Sequence, residues 1–444
     1  MSTSPIPSLA RRVVKHGAFR AASLLVIGGL ALSACGASTV AESSSATGES
    51  STVATDTTAT DTTTTADATT TAETISGTTT AAEAFMATLS EEQVEALTYE
   101  YDDDTKSTSW SNFPVTFVDR AGLNLADLTE EQQTAALEVL EGLLSDDAYA
   151  TVVGIMEGDE YLLENSSSTE DSLGQYYIAF FGDPSDTDAW SVQFGGHHLG
   201  INADLNGAEG TITFAPTHLG VQPAVYTNEE GEEVQPFDGI YTSAFAFYDS
   251  LTEEQLAALY QGEEVSAMVC APGSTCDYPS GTGLLGADLT DDQKDLLLDL
   301  IAHWAGMSDE ETNAAALAEI EATLDETYIN WSGATEYDMS TGDGIYFQIS
   351  GPDVYIEFAA QQGSAGADVE GVTTSGWGHV HTIYRDPSND YAGSVTQQET
   401  TGMTGGPGAG TGEMPAGEAP AGAVEGPATG GTTAEETAAA SSEE

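Results

Sequence analysis

Two pairs of histidines are the side chains of this sequence best suited to chemistry. His379 and His381 stand two residues apart in a stretch that reads as a strand, and His197 and His198 are adjacent in an earlier stretch. Side chains two apart on a strand share a face, so the later pair has chelate geometry. Neutral imidazole suits Zn, Cu and Ni. The four histidines are therefore candidate ligands of a divalent transition metal.

The two pairs must meet in space for this site to form. Adjacent residues of a strand point to opposite faces, so we expect only one of His197 and His198 to join His379 and His381 unless a bulge intervenes. A carboxylate would complete the ligand set. The alternative is that these histidines are hydrogen-bonded packing residues beside tryptophans.

Five residues near the histidines are candidates for contacting a small ligand: Asn202, Glu357, Trp377, Arg385 and Asp386. Glu357 and Asp386 are also the candidate carboxylates of the metal site. Arg385 could bind a substrate carboxylate, or it could form a buried ion pair that ties a strand to the turn at Asp386-Pro387. The sequence has no Gly-x-Ser-x-Gly elbow and no phosphate-binding glycine loop, so catalytic residues stay unassigned.

Four helix starts share one capping signature, a hydroxyl residue followed three positions later by glutamine. They begin at Ser90, Thr129, Thr252 and Thr290, each preceded by leucine. Each pattern predicts a capping box with a hydrophobic staple. The spacing is 39 residues in the first pair and 38 in the second, and the two pairs are offset by 162 and 161 residues. This repetition predicts an internal duplication.

Strand patterns follow the helices in each proposed half. In the first half, Tyr176–Phe181 leads through Gly182-Asp183-Pro184 to an alternation of Trp190, Val192 and Phe194; in the second, Ile345–Ile349 leads through Gly351-Pro352 to Val354–Phe358. Such hairpins with one apolar face are typical of antiparallel sheets. We therefore predict an α+β fold with halves at about 84–225 and 240–394, each a helical segment followed by an antiparallel meander.

The first 34 residues read as an export signal. A basic region is followed by an apolar run of about a dozen residues, shorter than the roughly 20 that a membrane-spanning helix needs. The run ends in Leu32-Ser33-Ala34-Cys35, which resembles a bacterial lipobox and implies cleavage before Cys35 and lipid attachment to its thiol. The alternative is an ordinary secretory signal. We expect a protein anchored in the cell membrane by lipid, on its extracytoplasmic face.

Low-complexity segments flank the proposed domain at 81–394. Residues 35–80 are rich in Ser, Thr and Ala, and residues 395–444 are rich in Gly, Ala, Pro and Glu. Neither segment has enough apolar surface to offset the cost of ordering its backbone. We predict a disordered stalk before the domain and a disordered tail after it.

The charge of the chain restricts its partners. The net charge is −65, and only Lys106, Arg120, Lys294 and Arg385 remain basic once the leader is removed. Nucleic acids and anionic lipid headgroups are therefore excluded as partners, because almost nothing could neutralise their phosphates. The acidity fits solubility in salty surroundings, and cation binding by carboxylates is the alternative.

The cysteines fit export to an oxidising compartment. Cys270 and Cys276 are separated by a spacer that contains Pro-Gly, a turn that can bring the two sulfurs together. The spacing differs from the Cys-x-x-Cys of redox enzymes, so we expect a structural disulfide. Closing so short a loop contributes about 2 kcal/mol in the chain-entropy estimate.

Several of these motifs, in this order, resemble the domain-of-unknown-function family 3500 (DUF3500). The pieces are the Leu-Thr-x-x-Gln helix starts, Tyr176-Tyr177 with Gly182, Gly196-His197-His198-Leu199 with Asn202, Tyr346-Phe347-x-Ile349-x-Gly351-Pro352, Ile356-Glu357-Phe358, and His379-x-His381 with Arg385-Asp386-Pro387. The resemblance covers about 84–393 and implies a domain but no activity. One departure is that 359–375 is rich in Gly and Ala where the family pattern is rich in Asn.

Three functions remain open from the sequence. The first is a surface-anchored domain that binds a metal or small ligand through its histidines. The second is an extracytoplasmic metal-dependent hydrolase or oxidoreductase. The third is a structural module of the envelope without a ligand. Metal content separates the third from the other two, and turnover separates the second from the first.

Overall fold

A computed structural model describes residues 69–168, 173–262, 268–362 and 367–398. Cys35, the export signal and residues 399–444 of the predicted tail lie outside these residues, as does most of the predicted stalk. Within the described ranges, every helix is too short or too polar to cross a membrane.

The described chain contains helices mainly ahead of two groups of strands. The helices are α1 (Thr71–Ala87), α2 (Glu91–Leu97), α3 (Thr105–Thr108), α4 (Glu130–Leu143), α5 (Asp146–Asn165), α6 (Asp238–Ser250), α7 (Glu253–Leu259), α8 (Asp291–Ala305) and α9 (Glu310–Thr323). The strands are β1 (Thr98–Tyr99), β2 (Leu123–Asn124), β3 (Tyr177–Phe181), β4 (Ala189–Gly195), β5 (Leu199–Asn206), β6 (Thr211–Thr213), β7 (Thr217–Val221), β8 (Tyr226–Thr227), β9 (Glu233–Val234), β10 (Leu284–Leu285), β11 (Tyr328–Gly333), β12 (Ile345–Ser350), β13 (Tyr355–Gln361) and β14 (Gly376–Arg385).

Twelve of these strands form one open sheet, which confirms the predicted α+β class. The path is β1-β3-β4-β5-β7-β14-β13-β12-β11-β10, with β2 on β3 and β6 on β5. The pairs between described strands are antiparallel except β1 with β3. Strands β8 and β9 form a separate hairpin.

Two meanders meet at the middle of the sheet. One runs from β3 through β4 and β5 to β7, and the other runs from β11 through β12 and β13 to β14. They join where β7 pairs with β14, with Gly220 opposite His381 and Thr217 opposite Tyr384. This junction brings the histidine-bearing stretches of the two halves close together. The internal duplication itself stays a prediction.

The four predicted capping boxes are confirmed. In each box the N-cap side chain accepts a hydrogen bond from the backbone N–H of the glutamine three residues later. The side chain of that glutamine accepts a hydrogen bond from the backbone N–H of the N-cap residue. The four N-cap residues are Ser90, Thr129, Thr252 and Thr290. The glutamines also pair across neighbouring helices: Gln132 Nε2 lies 3.3 Å from Gln93 Oε1, and Gln255 Nε2 lies 2.8 Å from Gln293 Oε1. Each capping box therefore fixes both a helix start and a helix–helix contact.

Helix α1 begins inside the segment at 35–80 that we predicted to be a disordered stalk. Thr70 caps it through a further capping box with Glu73, and its buried face includes Ile75, Ala82 and Phe85. Phe85 packs edge-on against Phe180 of β3. Threonine-rich composition hid this helix, because its apolar residues are sparse but fall on one face. Helix α1 thus begins ten residues before the predicted boundary at 81.

The two faces of the sheet differ in chemistry. The helices cover an apolar face, where Trp304 of α8, Trp331, Phe347 and Phe358 belong to the main core. The opposite face carries buried polar side chains, including Gln193, Asn202, Asp204, Gln348 and Glu357. Segments that cover this face hydrogen-bond to its polar groups: Val269 and Cys270 donate to Glu357, and Lys106 of α3 donates to Asp204.

The disulfide holds one of these covering loops. Cys270 and Cys276 are bonded, with Cα atoms 5.3 Å apart. Cys270 is buried in a small cluster with Trp110, Tyr355 and Tyr391. The predicted pairing is present, and it closes the loop over the polar face.

Candidate metal centre

His379 and His381 project from one face of β14, as the two-residue spacing predicts. Their Nε2 atoms are 3.3 Å apart and their ring centroids 4.9 Å apart. Two ligands at Zn–N distances of 2.0–2.1 Å and a tetrahedral angle would be separated by about 3.4 Å. His381 is buried and His379 is half-buried. The pair therefore has the spacing of two ligands on one tetrahedral ion.

His197 and His198 both face the later pair, contrary to the expectation that only one would. They lie in the turn between β4 and β5, where strand alternation does not apply. Their rings stack, with centroids 4.1 Å apart and planes inclined by 16°. Stacking lets adjacent residues present their nitrogens in the same direction.

The two pairs converge across the junction of the meanders. The ring of His381 lies 5.8 Å from that of His197 and 5.3 Å from that of His198, between centroids. The ring of His379 lies 5.7 Å from that of His198. One ligand atom from each of His197, His198 and His381 falls within 4.8 Å of the others. These three buried histidines could bind a metal ion.

Asp159 supplies the carboxylate of this cluster, a residue that the sequence analysis missed. Its Oδ1 lies 2.5 Å from His198 Nδ1, and its Oδ2 accepts from the Tyr176 hydroxyl at 2.7 Å. Asp159 is buried on α5, within a stripe that includes Ile155 and Leu162. A carboxylate on Nδ1 directs the Nε2 lone pair of a histidine towards a metal. An acid within an apolar helical stripe was the available signal.

His218 of β7 is a fifth histidine in the cluster, also missed. Its ring centroid is 5.3 Å from that of His381. Its Nδ1 donates to the Thr382 carbonyl at 2.7 Å, and its Nε2 lies 3.2 Å from the His197 carbonyl. Both nitrogens face backbone oxygens, so His218 supports its neighbours and is not a ligand in this arrangement. Its position two residues beyond Pro216 gave no sign of this contact.

Burial keeps the inner histidines neutral, the form that binds metals. Burial lowers the pKa of His218 to about 3. Burial, followed by the repulsion of the neighbouring histidines, lowers the pKa of His381 well below its ordinary value. A neutral imidazole has a lone pair available for coordination. Binding of a cation by these neutral histidines would therefore release few protons.

Two glycines make room for the rings. A Cβ on Gly220 would lie 3.1 Å from His381 Cδ2 and 3.2 Å from His218 Cε1. A Cβ on Gly200 would lie 3.1 Å from Trp110 Cε3. Any larger residue at either position would crowd the polar face of β5 and β7.

Asn112 holds the outer nitrogen of His381. Its side-chain amide lies 2.9 Å from His381 Nδ1. The two ends of an amide are assigned from hydrogen bonding, and rotation by 180° would present Oδ1 as an acceptor for Nδ1–H. The second form leaves the Nε2 lone pair of His381 available to a metal. Asn112 can therefore support His381 as a ligand.

Glu357, predicted as a candidate metal ligand, instead hydrogen-bonds to the disulfide loop and to two tyrosines. Its carboxylate accepts from the backbone N–H groups of Val269 and Cys270, at 2.5 and 2.9 Å, and from the hydroxyls of Tyr346 and Tyr355, at 2.8 and 2.9 Å. Burial raises its pKa, while these four donors oppose that effect. Glu357 anchors the disulfide loop to β13, so Asp159 takes the place proposed for it beside the histidines.

Arg385 and Asp386 also form contacts that stabilise the fold. Arg385 Nε lies 2.5 Å from Asp390 Oδ2, and Nη1 donates to the Ser274 carbonyl at 3.2 Å. Asp386 accepts from the backbone and hydroxyl of Ser388, both at 2.9 Å, and caps the turn after β14. Of the two interpretations of Arg385, the ion pair has the geometric support, although its partner is Asp390.

Asn202 and Trp377 complete the predicted set. Asn202 accepts from Gln193 Nε2 at 2.6 Å and donates to the Pro216 carbonyl at 3.0 Å, which links β4, β5 and the start of β7. Trp377 Nε1 donates to the Thr341 carbonyl at 2.8 Å. Its ring packs against Tyr241 of α6 on the apolar side. Neither residue contacts the histidine rings through these bonds.

Comparison with known proteins places the chain in a family. No curated protein and no solved structure matches it significantly. One family model does match, over residues 71–393, which is more than half of the chain and includes both histidine pairs and Asp159. Its first residue coincides with the start of α1. The chain belongs to the family described as protein of unknown function (DUF3500).

Proposed function

We propose that this protein binds a divalent transition metal, zinc in the first place, at the junction of its two meanders. The observation that carries the proposal is the convergence of His197, His198 and His381, whose ligand atoms lie within 4.8 Å of one another. His379 Nε2, 3.3 Å from His381 Nε2, would be the fourth ligand. Four imidazoles at this spacing suit the tetrahedral preference of zinc.

Packing alone accounts poorly for this cluster. Five histidines gather around one buried point beside an aspartate, and the two ring nitrogens of His379 and His381 approach each other closely. Without an ion, these rings must share protons in a network of tautomers. A bound cation would instead use their lone pairs together, with Asp159 offsetting part of its charge. Cu and Ni also accept imidazole and are the competing occupants.

Metal analysis of the mature protein, purified without a histidine tag, tests the proposal. We expect about one equivalent of zinc per chain for a single four-ligand site. His198→Ala/His381→Ala should lose it, while His303→Ala, a histidine on α8 outside the cluster, should retain it. Equal metal content in all three proteins would contradict the proposal. Titration of chelator-treated protein with Zn, Cu and Ni would rank the ions.

We also propose that the domain is displayed on the extracytoplasmic face of the cell membrane by lipid on Cys35. The support is the sequence Leu32-Ser33-Ala34-Cys35 at the end of an apolar run. The disulfide between Cys270 and Cys276 fits an oxidising compartment. Outside the cytoplasm, a neutral and buried histidine site could acquire metal from the surroundings of the cell.

An origin of the metal site by internal duplication is a further part of this proposal. Its support is that four helices precede a four-stranded meander in each half, with α3 and β6 as additions in the first, and that the glutamine pairs match. Gly122 and Gly283 add to it: both have positive φ, at 83° and 108°, and a Cβ on them would lie 1.9 Å from the Ile178 carbonyl oxygen and 2.0 Å from that of Ile329. Superposition of 89–202 on 251–386 in an experimental structure tests it, and a different strand order would contradict it.

A metal-dependent hydrolase is the second candidate, favoured by the partial exposure of His379. Catalytic zinc sites keep three protein ligands and leave one position for water or substrate. If His197, His198 and His381 alone hold the ion, the side near His379 would be that position. The zinc-loaded protein should then hydrolyse members of an ester, phosphoester and peptide panel above the rate of His198→Ala/His381→Ala. Equal rates would leave metal binding without catalysis.

A further inference from the structure

A cavity of about 260 Å³ lies between α5, the β8–β9 hairpin and the segment that leads into β14. Its walls include Tyr161, Tyr226, Glu233, Met339 and Trp377. At about 30 Å³ for each water-sized group, it holds roughly eight non-hydrogen atoms. This volume suits a small molecule.

Three of the twelve residues that line the cavity are aromatic: Tyr161, Tyr226 and Trp377. Tyr161 and Tyr226 have ring centroids 5.5 Å apart and planes inclined by 35°. Trp377 is buried against Tyr241 and the core, so its indole is held in place. The faces of tyrosine and tryptophan rings attract cations, and attract them more strongly when water is excluded.

Carboxylates surround these rings. Glu233 lines the cavity, and Glu157 Oε2 lies 3.4 Å from the Tyr226 hydroxyl, which donates to the Gly154 carbonyl at 2.8 Å. Burial raises the pKa of Glu160 to about 7, with Glu164 adding to the shift by repulsion. The carboxylates where α5 meets the hairpin therefore repel one another, and a cation placed among them would relieve that repulsion.

The basic side chains of the described chain are all engaged away from this cavity. Lys106 pairs with Asp204, Lys294 with Asp325 and Arg385 with Asp390. Arg120 donates to the carbonyls of Ser111, Phe113 and Gly196. Within the described ranges, none of these four side chains therefore forms an ion pair with Glu157, Glu160 or Glu233.

We propose that this cavity binds a small organic cation with an ammonium head, which would lie against Tyr161, Tyr226 and Trp377 with Glu233 as its counter-ion. An anion would be repelled by the carboxylates of Glu157 and Glu233 and is disfavoured. A bare metal ion would need several oxygen ligands around one point, whereas Glu233 is the one carboxylate among the residues that line the cavity. The inference is independent of the histidine site.

Calorimetric titration of the mature protein with choline and its neutral isostere, 3,3-dimethylbutan-1-ol, tests the inference. The two probes have nearly the same shape and differ in charge, so their difference isolates the recognition of the cation. We expect choline to bind with a Kd below about 1 mM, and the alcohol to bind at least about tenfold more weakly. Equal affinity for the two probes would overturn the proposal.

Substitutions of two residues that line the cavity test whether choline binds there. Tyr161→Leu should weaken choline binding about tenfold and Glu233→Gln about threefold to tenfold, through loss of a ring face and of the counter-ion. Both side chains are at least partly exposed, so the fold should persist, and thermal melting would verify this. Glu138→Gln, on the exposed side of α4, is the matched control and should bind choline as the wild type does. Unchanged affinity in both cavity variants, or displacement of choline by a tighter-binding Ca²⁺, would contradict the assignment.

Discussion

Asp159 Oδ1 lies 2.5 Å from His198 Nδ1, so a carboxylate from helix α5 supports a histidine from the turn between β4 and β5. Both side chains are buried, with exposures of 1% and 0%. The bond fixes the ring of His198 and increases the basicity of its Nε2. It also connects the helical layer to the centre of the sheet, where the two meanders meet.

Asp159→Asn should weaken zinc binding about 10–100-fold, the usual effect of removing a carboxylate that supports a ligand histidine. An amide can still accept the bond from His198 but has no charge to offset that of the ion. Competition with a chromophoric zinc chelator measures the affinity. The thermal shift on adding zinc should decrease in parallel, because it depends on the ratio of free metal to Kd.

Tyr176→Phe is the control for this change. It removes only the hydroxyl that donates to Asp159 Oδ2 at 2.7 Å and keeps the carboxylate beside His198. We expect a stability loss of about 1 kcal/mol and less than a tenfold change in zinc affinity. If Tyr176→Phe impaired zinc binding as much as Asp159→Asn, the charge of Asp159 would not be the cause.

Gly220→Ala should disturb the histidine cluster without removing any ligand. Its Cβ would lie 3.0 Å from the Val380 carbonyl oxygen and 3.1 Å from His381 Cδ2. Overpacking of this kind costs about 1–3 kcal/mol. We expect weaker zinc binding together with a lower free energy of unfolding in denaturant titration.

Gly77→Ala is a suitable comparison. A Cβ at Gly77 would meet nothing within 4 Å, and the residue lies inside α1. Alanine is a better helix former than glycine by about 1 kcal/mol, so this variant should be more stable and should bind zinc normally. A neutral effect of Gly220→Ala on both quantities would show that β7 can move away from His381 at little cost.

Much of the framework could be predicted because its signals are local. Capping boxes depend on residues three apart, and those at Ser90, Thr129, Thr252 and Thr290 are all present. Strand alternation located β3, β4, β12 and β13 to within a few residues. Two-residue spacing also predicted that His379 and His381 would share a face, which their 3.3 Å contact bears out.

The missed features depend on contacts between distant parts of the chain. Asp159 hydrogen-bonds to His198, which lies 39 residues away in the sequence. Arg385 forms its ion pair with Asp390 and not with its neighbour Asp386. Glu357 looked like a ligand because it is an acid near histidines. Its four hydrogen-bond donors come from a loop and from two tyrosines whose approach only the fold reveals.

Glu357→Gln should destabilise the fold by roughly 3 kcal/mol or more, since it disrupts hydrogen bonds to a buried charge. A glutamine side chain has one acceptor oxygen, and its NH₂ would face N–H or O–H donors. Chemical denaturation under non-reducing conditions measures the loss. Zinc affinity should stay near that of the wild type in the folded protein, because Glu357 serves the disulfide loop. Loss of zinc binding without loss of stability would instead indicate that Glu357 is a metal ligand.

Cys35→Ser should release the protein from the membrane fraction into the soluble extracytoplasmic fraction or the medium. The reason is that a serine cannot form the thioether to which diacylglycerol is attached, and the remaining apolar run is too short to span a bilayer. Fractionation with metabolic labelling by a fatty acid measures both effects. Identical fractionation of the two proteins, or absence of label from the wild type, would contradict lipid anchoring.

Glu160→Gln should stabilise the protein at neutral and alkaline pH but not in acid. Burial, with added repulsion from Glu164, Glu229 and Glu157, raises the pKa of Glu160 from 4.5 to about 7. A carboxyl group with a raised folded-state pKa holds its proton more tightly in the native protein. Stability from this group is therefore fully present below about pH 4.5 and is lost as pH rises through about 7. Glutamine, which does not ionise, avoids that loss.

The difference in melting temperature between Glu160→Gln and the wild type should thus be near zero at pH 4.5, should grow between pH 4.5 and 7, and should level off above pH 7. Thermal unfolding across this range in dilute salt measures it, and added salt should reduce the difference because it screens the glutamates. Glu138→Gln, the same exchange at an exposed position of α4, is the control for helix propensity. A constant offset at every pH would mean that the gain comes from helix propensity or packing and not from the charge of Glu160.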